Sequence, residues 1–155
     1  MGGNMRRKVI ALGTLLLAAL VIYFLFEKGD DIFPNRANET VWELSPSFEA
    51  EEHQFVGQPN KVGIIEAAFT KGKQTGLHWY LWGDQEKLVK GSFKLTASRQ
   101  GDLPLTLMDH YAIAYGTNGA DAQVPSVITI PSSGLWKFDA YVDDEIYGSV
   151  VVEVD

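Results

Sequence analysis

Residues 135–142 have the sequence LWKFDAYV and residues 146–154 have the sequence IYGSVVVEV, and these two stretches carry the clearest strand pattern in the chain. In both, apolar side chains recur at every second position, which is typical of strands with one buried face. Between them lies the run Asp143-Asp144-Glu145, which predicts a tight turn. We therefore expect an antiparallel β-hairpin here.

The same alternation extends upstream through most of the chain. We predict strands at 62–69, 76–82, 87–98, 105–115, 126–130, 135–142 and 146–154, with a short opening strand near 41–44 left open. No stretch beyond residue 41 has a helical period long enough for a domain helix. The pattern predicts an all-β protein, an immunoglobulin-like antiparallel two-sheet sandwich of seven or eight strands.

The N-terminal part predicts a membrane anchor. Residues 9–26 contain no charged residue over 18 positions and would span roughly 27 Å as a helix, close to the thickness of a bilayer core. A basic cluster precedes this run, and its bulky C-terminal end lacks the small residues of a signal-peptide cleavage site. We predict a cytoplasmic tail at 1–8, a single-pass signal anchor at 9–26, a tether at 27–40 and an extracytoplasmic domain at 41–155.

Composition excludes several classes of function. The chain has 155 residues and no Cys, which excludes disulfides, thiolate metal centres and a thiol nucleophile. Because three of its 13 basic residues precede the anchor and all 20 acidic residues follow it, the predicted external part has a net charge of −10. Such an acidic domain is not expected to bind nucleic acid. No motif in the sequence indicates a cofactor.

Several motifs in the second half of the chain resemble an uncharacterised family of extracytoplasmic, immunoglobulin-like domains of Gram-positive bacteria. The resemblance is carried by His78-Trp79-Tyr80-Leu81-Trp82-Gly83, Tyr115-Gly116-Thr117-Asn118-Gly119-Ala120, Val124-Pro125-Ser126, Pro131-Ser132-Ser133-Gly134-Leu135-Trp136-Lys137 and Tyr147-Gly148-Ser149-Val150-Val151. The resemblance implies a location outside the cytoplasm and an immunoglobulin-like fold, and it implies no catalytic residues. Members of the family are held at the membrane by a lipid or by a single helix. Because this chain has no Cys, the resemblance implies the helix.

An aromatic strand provides the first candidate site. If 76–82 is a strand, Leu77, Trp79 and Leu81 lie on one face, while His78, Tyr80 and Trp82 lie on the other. Leu77, Trp79 and Leu81 are the better candidates for the face that is buried in the core. The second set could then form a flat stacking platform for a sugar ring or a peptide, with the loop 116–123 as a second choice. The alternative is that a loop or the tether, through Trp42, covers this face.

A metal site is the second candidate. His110, Met108 and His78 could bind copper, because imidazole and thioether groups suit that ion, and Met108 and His110 are expected to share one face of a strand. The acidic run Asp143-Asp144-Glu145 could bind calcium, although such residues also suit a hairpin turn. His53 lies in an irregular segment and is expected to be solvated.

Catalysis has the weakest basis in the sequence. No Gly-x-Ser-x-Gly elbow occurs, and the glycine-rich stretch at 116–119 is not followed by the Lys and helix of a phosphate-binding loop. The leading hypothesis is a membrane-anchored, non-catalytic binding or accessory module outside the cytoplasm, with a protein or cell-wall partner. The alternatives are a copper-carrier domain and a structural partner domain within a membrane complex.

Overall fold

The computed structural model describes residues 41–155, so the predicted tail, anchor and tether lie outside the described residues. Within this range no helix is long and apolar enough to cross a membrane. The elements, in chain order, are β1 (Ser47–Ala50), β2 (His53–Gln58), β3 (Val62–Ile65), β4 (Gln74–Leu81), α1 (Gln85–Lys90), β5 (Ser92–Arg99), β6 (Leu105–Ala112), β7 (Ala114–Tyr115), β8 (Ala122–Thr129), β9 (Gly134–Val142) and β10 (Glu145–Val154).

The strands form two antiparallel sheets. The six-stranded sheet has the order β1-β2-β3-β4-β8-β7, and the four-stranded sheet has the order β10-β9-β5-β6. Large apolar side chains from both sheets meet between them, as where the rings of Trp79 and Phe138 lie 5.3 Å apart. The predicted all-β class and two-sheet sandwich are confirmed, while the described chain has ten strands rather than seven or eight.

The predicted C-terminal hairpin is confirmed. In the β9–β10 pair, Val142 lies opposite Glu145, so the loop consists of Asp143 and Asp144. Their φ angles are 51° and 63°, which is the mirror-image turn that matches the twist of two hairpin strands. A β-bulge between Ile146 and Gly148 then shifts the register of β10.

The predicted strand at 87–98 is wrong in its first part, because residues 85–90 form the helix α1. Asp84 caps this helix, since its carboxylate accepts a hydrogen bond from the backbone N–H of Lys87. Leu88 turns inward and is buried. The strand β5 starts only at Ser92, after Gly91 ends the helix. A single helical turn contains too few residues for its period to be distinguished from alternation.

The structure differs from four other expectations and contains one hairpin that was not predicted. The strand expected at 62–69 ends at Ile65, and the strand expected at 105–115 divides between the two sheets as β6 and β7. The opening strand considered at 41–44 is absent, whereas the hairpin β1–β2 was not predicted. His53 therefore lies in a strand and is half-buried instead of solvated.

Candidate functional site

The pleat of β4 directs its side chains as the sequence predicts. Leu77, Trp79 and Leu81 are buried between the sheets, and His78 is exposed on the outer face. Tyr80 lies on that outer face too, yet it is only 5% exposed. The predicted platform is therefore covered over much of its area.

The hairpin β1–β2 supplies this cover. The ring of Phe55 lies 5.1 Å from Tyr80 and 5.1 Å from Trp82, centroid to centroid, with edge-to-face geometry in both pairs. Phe48 lies 5.3 Å from Trp82, again edge to face. This geometry is favourable for aromatic pairs, so the outer face of β4 has a small aromatic core of its own. The alternative considered for this face, a loop or the tether acting through Trp42, is wrong in its residue, because Trp42 lies beside Lys137 on the other sheet.

The loop between β7 and β8 fixes the polar atoms of the same aromatic residues. The side-chain amide of Asn118 donates to the hydroxyl of Tyr80 at 3.1 Å, and the indole N–H of Trp82 donates to the carbonyl of Gly119 at 2.7 Å. Both aromatic residues thus contribute to packing between the first hairpin and this loop. Ligand binding by His78, Tyr80 and Trp82 stays a prediction, and of the three only His78 is exposed, while Tyr80 is buried and Trp82 is half-buried.

The three predicted copper ligands do not lie together. His78 faces outward from the six-stranded sheet, whereas Met108 is buried on the inner side of the four-stranded sheet. His110 does not share the face of Met108, because β-bulges shift the register between β5 and β6 around these residues. His110 contacts Ser92 at 3.3 Å instead. Among residues 41–155, no cluster of three His, Asp or Glu side chains could hold a metal ion.

A groove of about 540 Å³ opens between α1 and the β9–β10 turn. Its floor is apolar and aromatic, because Leu88, Val142, Ile146 and Tyr147 line it. Ile146 is 61% exposed, so its aliphatic side chain is accessible at the groove. The volume lies within the range of small-ligand sites in proteins.

Tyr147 anchors the floor of the groove. Its hydroxyl donates a hydrogen bond to the backbone carbonyl of Trp82, at the end of β4. Burial raises the pKa of the Tyr147 hydroxyl above its usual value near 10, and the carboxylate of Asp121 adds to this shift. Tyr147 is directed into the fold, whereas its neighbour Ile146, at the β-bulge of β10, is left at the surface.

The rim of the groove carries charges of both signs: Lys61, Asp84, Lys87, Asp143 and Glu145. The ammonium group of Lys61 lies 5.1 Å from the centroid of the Tyr147 ring, within the range of a cation–π contact. This groove was not predicted from the sequence, because its residues come from three separate segments of the chain. The one local signal was an apolar residue, Ile146, directly beside an acidic turn.

Side-chain contacts hold the β9–β10 turn against β5. The carboxylate of Asp143 accepts a hydrogen bond from the backbone N–H of Ser92 at 2.9 Å. The carboxylate of Asp144 accepts one from Lys94 at 2.9 Å, which lowers the pKa of Asp144 and raises that of Lys94. Both aspartates of the turn are thus bonded to β5, which accounts for the acidic composition of the turn without a bound calcium ion.

These features define a two-sheet antiparallel β-sandwich with a groove at one end. A family model described as Domain of unknown function (DUF4871) matches residues 33–152, and the chain belongs to this family. The predicted membership of an uncharacterised family is therefore confirmed.

A crystal structure of a candidate lipoprotein from Bacillus anthracis, a Gram-positive bacterium, has a similar fold. The two chains are 21% identical, the TM-score is 0.59, and the match covers 79% of this chain and 94% of the other. At this identity the likeness supports the fold alone. No curated protein matches the sequence.

Proposed function

We propose that this protein is a membrane-anchored, extracytoplasmic binding module without catalytic activity. Residues 9–26 would form the single-pass anchor, residues 27–40 the tether, and residues 41–155 the external domain. The hydropathy of the first segment and the basic cluster before it support this arrangement. Membership of a family without an assigned activity is compatible with it.

We further propose that the sandwich is immunoglobulin-like. The strand order β3-β4-β8-β7 corresponds to A-B-E-D of that fold, and β10-β9-β5-β6 corresponds to G-F-C-C′. The hairpin β1–β2 is then an addition to the first sheet. In this correspondence α1 is the B–C connection and the β9–β10 turn is the F–G connection, which are two of the three connections that form the binding surface in variable domains.

The groove between α1 and the β9–β10 turn is the observation that carries the binding role. It opens where β9 ends, at Val142. Trp42, the first residue after Val41 in the described chain, lies beside Lys137, five positions earlier on β9. Five strand residues span about 17 Å, so the first residues of the described chain lie well apart from the groove and leave it accessible.

Cysteine labelling in intact cells tests this proposal, because the chain has no native Cys to interfere. Ile146→Cys places a thiol at the groove, and Val127→Cys is a matched control, since Val127 is 68% exposed on β8. We expect a membrane-impermeant maleimide to label both variants on intact cells. Labelling at position 146 should be several-fold slower in cells than in the purified full chain, while labelling at 127 should be equally fast in both.

Two results would contradict the proposal. Failure of both cysteines to react on intact cells would place the domain on the wrong side of the membrane. Equal labelling rates in cells and in purified protein at both positions would show that nothing occupies the groove.

A further inference from the structure

The groove of the proposed binding site holds two charged side chains, Lys61 and Glu145, whose charged groups make neither an ion pair nor a hydrogen bond within residues 41–155. Among the described residues, no ion pair within 4 Å includes Lys61 or Glu145. The other charged side chains of the rim already form ion pairs or hydrogen bonds within the domain. Asp84 caps α1 and lies 3.8 Å from Lys87, and Asp143 accepts the backbone N–H of Ser92.

These two charges have opposite signs and flank an apolar floor. Lys61 follows the turn between β2 and β3, and Glu145 begins β10. The exposed side chain of Ile146 and the half-buried side chain of Val142 belong to the floor of the same groove. A purely anionic ligand would meet Glu145, and a purely cationic ligand would meet Lys61. A ligand with one charge of each sign would satisfy both.

We propose that the groove binds a short linear peptide with free amino and carboxyl termini and small aliphatic side chains. Its carboxylate pairs with Lys61, its ammonium group pairs with Glu145, and its side chains lie on Ile146 and Val142. The volume of about 540 Å³ suits a peptide of a few small residues. This inference rests on the proposed function, since it names the ligand class for the same groove.

The expected affinity is modest. Lys61 and Glu145 are exposed to solvent, and exposed ion pairs contribute little, about two- to fivefold in a binding constant. The test must therefore detect weak binding to a protein in its membrane form. Saturation-transfer NMR meets this need, because it observes the small ligand and works best with a large receptor.

The experiment uses the full chain in phosphatidylcholine nanodiscs, with empty nanodiscs as the blank. Three probes are titrated: trialanine with free termini, N-acetyl-trialanine, and trialanine amide. The variants are Lys61→Gln and Glu145→Gln, which remove one charge with little change of shape. Lys73→Gln and Glu49→Gln are matched controls, because both residues are exposed and neither lines the groove.

We expect free trialanine to bind about two- to fivefold more tightly than either capped peptide. In Lys61→Gln, amidation should no longer weaken binding, whereas N-acetylation still should. In Glu145→Gln the pattern should be reversed, and the control variants should behave like the parent chain. This crossed dependence assigns each terminus of the peptide to one side chain.

The inference is overturned if the three peptides bind equally to the parent chain, or if each variant keeps both preferences. It is also overturned if no peptide binds. Slower labelling of the Ile146→Cys variant in cells together with no peptide binding would leave the binding role standing with a different ligand. Unchanged labelling together with no peptide binding would remove both proposals.

Discussion

The hydroxyl of Tyr147 on β10 donates a hydrogen bond to the backbone carbonyl of Trp82, just past the end of β4. One side chain thereby joins the four-stranded sheet to the six-stranded sheet beside the groove. Its position at the start of β10, next to the bulge, links the shape of the groove to the closure of the sandwich at that end.

Tyr147→Phe is expected to destabilise the fold by about 1–3 kcal/mol, because it leaves the Trp82 carbonyl, which lies in a partly buried position, without its donor. Thermal unfolding of the full chain in detergent measures this loss. Tyr115→Phe is the control, since Tyr115 is 67% exposed, and its midpoint should be nearly unchanged. Equal midpoints for the two variants would show that the hydrogen bond contributes nothing to stability.

Gly83→Ala is expected to destabilise the same junction, because the added methyl group would collide with the hydroxyl of Tyr147. The cost should be smaller when Tyr147 is already Phe, since the colliding oxygen is then absent. Gly76→Ala is a matched control with no atom within 4 Å of the added carbon. A double-mutant cycle by thermal unfolding tests this coupling, and strictly additive effects would contradict it.

Trp82→Ala tests whether the aromatic residues on the outer face of β4 form a packed cluster or a stacking platform for a ligand. The ring packs against Phe48 and Phe55 and its N–H bonds to Gly119, so we expect a loss of about 3 kcal/mol of stability. His78→Ala, on the exposed part of the face, should change stability by less than about 0.5 kcal/mol. If Trp82→Ala folds with unchanged stability, the residue is not part of a packed cluster and the stacking platform becomes the better explanation.

The ion pair between Lys94 and Asp144 makes stability depend on pH at both extremes. Hydrogen bonding to Lys94 lowers the pKa of Asp144, so its stabilising contribution is present above the unfolded pKa and is lost as pH falls through the folded pKa. The same bond raises the pKa of Lys94, so the contribution is present below its unfolded pKa and is lost as pH rises through the folded pKa.

In Asp144→Asn, the thermal midpoint of the full chain should therefore depend less on pH than in the parent chain, both below about pH 4 and above about pH 10. Asp102→Asn serves as the comparison, because Asp102 bonds to Arg99, which keeps its charge throughout this range. Identical pH profiles for the parent chain and Asp144→Asn would mean that the pair does not stabilise the fold.

The sequence predicted the parts of this fold in which alternation covers many residues. The hairpin of β9 and β10 and the inward face of β4 follow directly from a period of two. The helix α1 was missed because it is only six residues long, and the hairpin β1–β2 was missed because its apolar residues pack on an outer face of the sheet. A pattern of alternation does not reveal whether the outer face of a strand is covered.

The candidate groove could not have been predicted in the same way. Lys61 and Ile146 are far apart in the chain, and only the order of the strands brings them to one cavity. The predicted pairing of Met108 with His110 failed for a related reason. A β-bulge changes which side chains share a face, and no residue in 105–112 signals its position.

Hydrogen–deuterium exchange of the unmodified full chain tests the central claim, a ligand at the end formed by α1 and the β9–β10 turn. Exchange is compared between isolated cell envelopes and the purified protein in detergent. We expect slower exchange in the envelopes for residues 84–91 and 142–147, with no change at 99–106 near the opposite end. Equal exchange rates in both preparations across 84–91 and 142–147 would contradict it.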